Sequence, residues 1–197
     1  GVCTVAPSFL TPRPDICNAV SSGPTVAEWT WSYHALPSTL TLACANVYIP
    51  PRASRHIRIW NDVSRLLDTG YLVVVGGDFN TNLDPRVHES LTPDSRKYQD
   101  ALLHAASAVA LAHNAILFNT ALLLLPGSVS FSNTPSSPPT LLDALLVFVP
   151  ASLSGKVQCS AVLMPLEFQH AMILLSLEIV SCSARSNPLA LPPTPNY

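Results

Sequence analysis

An aspartate and an asparagine follow directly after a run of apolar residues in the segment YLVVVGGDFNTNLDP, residues 71–85. The run is short, rich in valine and bounded by glycines, which predicts a fully buried strand with Asp78 and Asn80 just past its end. A carboxylate and an amide at such a position are candidates for a site at a sheet edge. They are equally ordinary turn residues, because Gly, Asp and Asn are favoured in tight loops.

Three more side chains are candidates for the same site. Tyr48 closes a second predicted strand, LTLACANVYIPP, although a core aromatic with a capped hydroxyl is the alternative. Asp143 lies inside the apolar run LLDALLVFV, where an unpaired carboxylate is costly to bury, so we expect a partner such as His170. Taken alone, His170 has a neutral core histidine as its alternative, and the other histidines are given no role.

Three arginines, Arg52, Arg55 and Arg58, follow Tyr48 at spacings that place them along one side of the coming helix. Such a row predicts contact with a phosphate backbone. The alternative is a solvated helix face.

The surrounding patterns predict the elements that position these residues. Apolar residues recur at helical spacing in SRHIRIWNDVSRLLDTG, with Gly70 as its stop, and a second helix is predicted from Ser95 to about His113. Strands are predicted in AEWTWSY, AILFN, SVSFSN, LLDALLVFV, KVQCSAVLM and AMILLSLEIV. Strands in excess, with helices between some of them, indicate an α+β fold.

Length and composition set the outer limits. The 197 residues suit one domain over residues 1–180, followed by a Pro-rich tail over 181–197 that we expect to be disordered. Ten Lys and Arg against twelve Asp and Glu give a net charge of −2, so a nucleic-acid contact needs a local basic patch. The five cysteines form no CxxC pair and have no His at zinc-ligand spacing, so reduced thiols and no zinc module are expected.

Targeting signals are not evident. His104, His113, Asn114 and Asn119 interrupt the apolar segment 101–126, so a buried helix and strand are expected there rather than a membrane span. No signal peptide is visible, and together with the unpaired cysteines this predicts a cytoplasmic or nuclear protein. The chain starts at Gly1 without Met and is expected to be a piece of a longer protein.

Four segments together resemble the endonuclease/exonuclease/phosphatase superfamily, in the order that family shows. They are ANVYIPP, GGDFN, SFSNTPSSPPTLLDALLVFVP and EFQHAMILLSLEI. The start GVCTVAPSFL and the LPGSVSFSNT spacing look most like the endonuclease domain of non-LTR retrotransposons, which accompanies a reverse transcriptase. The resemblance covers about Gly1 to Ile179 and implies a four-layered α/β/β/α sandwich of two mainly antiparallel sheets, here without its first strands.

The resemblance implies a Mg²⁺-dependent phosphodiester hydrolase acting on nucleic acid, most simply DNA. By matching position, Asp78 orients and deprotonates the attacking water and Asn80 donates its amide to a phosphate oxygen. Tyr48 bonds the phosphate or assists the leaving group. Asp143 holds His170, whose imidazolium stabilises the developing charge.

The departures from the family concern the metal. Gln169 stands where an acid is expected before the last histidine, and an amide lacks the charge that a hard cation prefers. The family's metal-binding Glu has no counterpart before Gly1, and neither Glu28 nor Glu89 stands in the matching strand context, so the metal ligands are not assigned. Two hypotheses follow: a truncated nuclease with impaired activity, or a non-catalytic retroelement remnant or pseudoenzyme that binds nucleic acid or protein. RNA and small phosphoesters remain open as substrates.

Overall fold

The computed structural model describes residues 11–12, 28–36, 39–50, 58–125, 128, 141–164 and 171–180. The strands are β1 (Thr11–Pro12), β2 (Glu28–Ala35), β3 (Thr41–Tyr48), β4 (Leu72–Asp78), β5 (Ile116–Asn119), β6 (Asp143–Val149), β7 (Val157–Met164) and β8 (Met172–Ile179). The helices are α1 (Ile59–Asp68), α2 (Pro93–Ala112) and the short α3 (Thr120–Leu123). Single 3₁₀ segments span Pro85–Ser90 and Ala151–Leu153. The predicted mixture of strands and helices is confirmed.

The described strands form two sheets. One has six strands in the order β1-β2-β3-β4-β6-β5, and the other pairs β7 with β8. Within them, β3 and β4 run parallel, and the other five pairs are antiparallel. A parallel pair needs a crossover connection, and α1 lies on that connection between β3 and β4.

Helix α1 follows directly from its sequence pattern. Its buried side chains are Ile59, Trp60, Val63 and Leu67, which recur every three or four residues on one face. Gly70 has a φ of +79°, the left-handed conformation that ends many helices. The predicted stop at Gly70 is therefore confirmed, and the start of the predicted segment, residues 54–57, lies outside the described residues.

The six-stranded sheet is buried on both faces. On one face Val63 and Ala106 of the helices join a cluster with Trp31, Val73 and Phe148 of the sheet. On the other face the sheet residues Leu72, Val74 and Val147 pack with side chains of the two-stranded sheet, namely Cys159, Leu175 and Leu177. Residues 72–75 are accordingly all buried, as the apolar run predicts for a central strand.

The two-stranded sheet is buried on one face only. Its residues alternate between exposed and partly buried along both strands. Several apolar side chains lie on its outer side, among them Val162, Met164, Met172 and Leu174. None of the helices in the described part of the chain is long and apolar enough to cross a membrane. The predicted strand SVSFSN and the predicted tail lie outside the described residues, apart from Ser128.

Candidate functional site

Four polar residues occupy one cross-strand row at an end of the six-stranded sheet. The register places Glu28 opposite Tyr48, Tyr48 opposite Asp78, and Asp78 opposite Asp143. Residues directly opposite one another in a sheet point to the same face. The side chains of Tyr48, Asp78 and Asp143 therefore emerge together, on the face that also carries β7 and β8. Tyr48 is 40% exposed, so the row opens to solvent.

Asp78 and Asp143 are direct neighbours in this row. Directly opposite side chains have Cβ atoms about 5 Å apart, and like charges in that arrangement are unfavourable. Both residues are half-buried. Local costs of this kind are typical of functional sites, where the sequence departs from what stability alone favours.

The Asp78–Asn80 turn fixes the aspartate carboxylate. The backbone N–H of Asn80 donates to Asp78 Oδ1 at 2.8 Å, and the Asn80 amide donates to Asp78 Oδ2 at 3.2 Å. The same amide nitrogen also donates to the carbonyl of Ile49 at 2.8 Å, which ties the turn to the end of β3. Asn80 adopts a φ of +48°, a conformation in which Asn is enriched. The turn chemistry predicted as the alternative for these residues is therefore present.

A glycine is required immediately before this turn. Gly77 has a φ of +145°, and a Cβ at this position would lie 1.9 Å from the carbonyl oxygen of Val47. Any side chain would thus collide with the backbone of β3. A Cβ on Gly76 would lie 2.5 Å from Leu145 Cδ2, so the pair also keeps space beside Asp143. The Gly-Gly sequence lets three strands meet closely where the polar row begins.

The loop after Asp78 is held by buried side chains. Phe79 and Leu83 are fully buried. Gln99 of α2 donates to the carbonyls of Asn82 at 2.6 Å and Asp84 at 3.0 Å, and Asn119 donates to the carbonyl of Leu83 at 2.8 Å. Buried carbonyls need such partners, so these two amides hold the loop in one conformation. The loop is thus a fixed support for Asp78.

An ion pair completes the loop. Arg86 contacts both carboxylate oxygens of the buried Asp84 at 2.8 Å, and it also donates to the carbonyls of Ala121 and Leu124. The hydrogen bond with Asp84 raises the pKa of Arg86, so both groups stay charged. This bidentate pair links the loop to α3. The sequence analysis did not assign Gln99, Asn119, Asp84 or Arg86, and the signal available for Asp84 was its position before Pro85, where it caps the 3₁₀ segment.

A cavity of about 550 Å³ lies beside the polar row. Its described lining comes from the six-stranded sheet, including Cys44, Asn46, Gly76 and Asp143, and from Met172 and Ile173 of β8. Asn46 is one step inward from Tyr48 on the same face and was noted in the sequence only as an interruption of an apolar strand. Burial raises the pKa of the Cys44 thiol to about 12, so this wall of the cavity is neutral. The cavity therefore combines an apolar wall with an amide and a carboxylate.

The structure brings Tyr48, Asp78, Asn80 and Asp143 to one end of the sheet. Arg58 is exposed and forms the N-cap of α1. Arg52, Arg55, Gln169 and His170 lie outside the described residues, so the Asp143–His170 contact stays a prediction. Among the described residues no group of three or more His, Cys, Asp or Glu side chains could hold a metal ion. Cys44 and Cys159 are free thiols.

Comparison with known proteins does not assign a family to this fold and site. No protein-family model matches the sequence, and no curated protein matches it.

Proposed function

We propose that the chain is a divalent-metal-dependent phosphodiester hydrolase domain with weakened metal binding. The observation that carries this proposal is the opposition of Asp78 and Asp143 in register, with Tyr48 next in the same row, beside an open cavity. Paired carboxylates supply both a proton acceptor and anionic oxygens, which are the two things that hydrolysis by an activated water needs. The four motifs that resemble the endonuclease/exonuclease/phosphatase superfamily support the same chemistry.

The reaction requires Asp78 to orient and deprotonate the attacking water. Its support is unusually fixed, because the Asn80 turn, Gln99 and Asn119 all hold the loop that carries it. Both N–H groups of the Asn80 amide are already used by Asp78 and Ile49. We therefore assign Asn80 to positioning Asp78, and a direct bond to a phosphate oxygen requires this amide to change partners.

Tyr48 is the exposed phenol of the row, and its hydroxyl can bond a phosphate oxygen or the leaving group. Asp143 orients His170 in this proposal, and the imidazolium stabilises charge that develops on the phosphoryl group. The residues that would hold a divalent cation are Asp78 and Asp143, whose carboxylates are the ligands that Mg²⁺ prefers. A bound cation supplies neutralisation of the phosphoryl charge.

Two features reduce the expected activity. Gln169 offers no charge to a cation, and two aspartates are fewer anionic ligands than a tightly held metal normally has. We therefore expect hydrolysis that needs high metal concentration and is slow compared with complete members of the superfamily. DNA is the proposed substrate, since Arg52, Arg55 and Arg58 follow Tyr48 and provide a local basic stretch.

The proposed architecture is the four-layered α/β/β/α sandwich, of which the described residues supply three kinds of layer. Helices α1 and α2 cover one face of the six-stranded sheet, and β7 and β8 pack on its other face. A site at the end of the central strands, facing the second sheet, is consistent with that arrangement.

The second candidate is a non-catalytic remnant that retains the fold and binds nucleic acid or protein. The observation that favours it is that both Asp78 oxygens accept hydrogen bonds from Asn80, an arrangement that ordinary turns also make. In this case the polar row is structural and needs no metal.

Hydrolysis of bis(p-nitrophenyl) phosphate with Mg²⁺ or Mn²⁺ separates the two candidates. The hydrolase predicts slow release of p-nitrophenol that a chelator abolishes and that Asp78→Asn removes. Asp94→Asn is the matched control, since Asp94 is an exposed acid in the first turn of α2. Equal rates in Asp78→Asn and Asp94→Asn, or no release above buffer, support the remnant.

A further inference from the structure

Ser64, His113 and Asp68 form a hydrogen-bonded chain away from the polar row. Ser64 Oγ lies 2.6 Å from His113 Nε2, and His113 Nδ1 lies 3.1 Å from Asp68 Oδ1. Ser64 and Asp68 are one turn apart on α1, so both face the same neighbour. His113 caps the C-terminal end of α2. Neither the strand-end site nor the loop that supports it uses these three residues.

The packing of the two helices fixes this chain. Val63 and Leu67, beside Ser64 and Asp68, are buried in the same cluster as Ala106 and Ala110 of α2. The backbone N–H of His113 donates to the carbonyl of Val109 at 3.2 Å, and the imidazole side chain is only 16% exposed. The ring is therefore held between the helices rather than free in solvent.

The order of contacts defines the tautomer of the neutral ring. Asp68 accepts the Nδ1 proton, which leaves the Nε2 lone pair to accept the Ser64 hydroxyl proton. A serine within a helix commonly bonds a carbonyl of its own helix. Ser64 instead contacts a base that an acid orients, which is the arrangement that activates a serine for nucleophilic attack.

We propose that Ser64 is a nucleophile that accepts acyl groups from activated esters. Ser64 Oγ attacks the ester carbonyl, and its proton moves to His113 Nε2. The bond between the carbonyl carbon and the alcohol oxygen then breaks, and the leaving group takes the proton from Nε2. Water releases the acyl group by the same steps in reverse roles, so the reaction needs no further reactant.

The position of Ser64 within α1 limits the rate. Its own N–H belongs to the helix ladder and is not available to an oxyanion, and losing one such donor costs about 10²–10³-fold in rate. The carboxamides nearest in sequence are Asn61, one turn earlier on α1, and Asn114, next to His113; both residues are exposed. Esters with good leaving groups are therefore the substrate class, and a slowly turning over acyl-enzyme is the expected product.

The test is acetylation of the full chain by p-nitrophenyl acetate, followed by peptide mass spectrometry. We expect one acetyl group to accumulate on Ser64 faster than on Ser107, an exposed serine of α2. His113→Gln lowers Ser64 acetylation about 10²-fold, the scale of a lost general base. Ser107→Ala leaves it unchanged.

Asp68 is a positioning residue in this proposal, and it is 69% exposed, so its replacement need not disturb folding. Asp68→Asn lowers the acetylation rate several-fold, and Asp68→Glu restores it, while the midpoint of thermal unfolding stays within the range of Asp94→Asn. Ser64 acetylation no faster than that of Ser107, or unchanged in His113→Gln, overturns the proposal and leaves the chain of contacts as a link between two helices.

Discussion

Asp78 and Asp143 face each other across β4 and β6, at the end of the six-stranded sheet where the ladder between them begins. The ladder continues past this pair, since Phe79 N–H donates to the carbonyl of Leu142 at 3.0 Å and Ile49 N–H donates to the carbonyl of Asp78 at 2.9 Å. Strands on both sides thus hold the backbone of Asp78. Two like charges are placed side by side by a framework too well bonded to separate them.

Replacing Gly77 with alanine is expected to destabilise the fold strongly. The new Cβ would lie 1.9 Å from the Val47 carbonyl oxygen at a φ of +145°, so β3 must move. We expect a loss of at least about 2 kcal/mol in the free energy of unfolding. Gly155→Ala is the control, because Gly155 has a φ of +72° with nothing within 4 Å, and backbone strain alone costs about 1 kcal/mol. Urea unfolding measures both, and equal losses contradict the close-approach argument.

Gln99→Met is expected to loosen the loop that supports Asp78. The change removes two donors from the buried carbonyls of Asn82 and Asp84, which costs about 1–3 kcal/mol. Hydrogen exchange should show faster amide exchange within residues 79–86 than in the native chain. Gln158→Met, on the exposed side of β7, should change neither stability nor exchange. A variant as stable and protected as the native chain shows that Gln99 does not hold the loop.

Tyr98→Phe is expected to stabilise the protein, most clearly at alkaline pH. The Tyr98 hydroxyl is buried with no hydrogen-bond partner among the described residues, and burial raises its pKa from 10.0 to about 12. The unfolded chain therefore loses this proton first, so the contribution of Tyr98 is fully present below pH 10 and is lost as the pH rises to about 12. Cys44 acts in the same direction, since its pKa is also raised to about 12.

Chemical unfolding from pH 8 to 11 measures this effect. We expect Tyr98→Phe to add about 1 kcal/mol near neutrality and to flatten part of the alkaline decline. A loss of stability, or an unchanged alkaline decline, shows that the hydroxyl has a favourable contact.

The sequence patterns predicted the elements better than the interactions between them. Helical spacing located α1, and the valine-rich run located β4, because both signals are local. The row of Tyr48, Asp78 and Asp143 also followed from strand ends, although the register that aligns them depends on strand pairing over long sequence separation.

Other features had no local signal. Gln99 lies in the middle of α2 and contacts a loop 15 residues earlier, so its role depends on how the helix packs. His113 was given no role in the sequence analysis, because its partners Ser64 and Asp68 lie on a different helix. Contacts of this kind are visible only once the helices are placed on the sheet.

Removing two arginines is expected to weaken DNA binding through its electrostatic part. Arg58 is exposed at the start of α1, and Arg55 precedes it by one turn's spacing. We expect the Arg55→Ala, Arg58→Ala double variant to lower the slope of log affinity against log salt concentration by about two. Fluorescence anisotropy with a DNA duplex measures the slope, and Arg96→Ala, which removes an arginine of α2 paired with Glu89, is the control. An unchanged slope identifies this stretch as a solvated helix face.

Nicking of supercoiled plasmid DNA under enzyme excess tests the central proposal most directly. The native chain, Asp78→Ala, Asp143→Ala and the exposed-acid control Asp94→Ala are compared across a range of Mg²⁺ and Mn²⁺ concentrations. The account predicts slow nicking that rises with metal concentration, stops with a chelator, persists in Asp94→Ala and falls about 10²-fold or more in Asp78→Ala. Nicking that is absent in the native chain at every metal concentration, or equal in Asp78→Ala and Asp94→Ala, contradicts it.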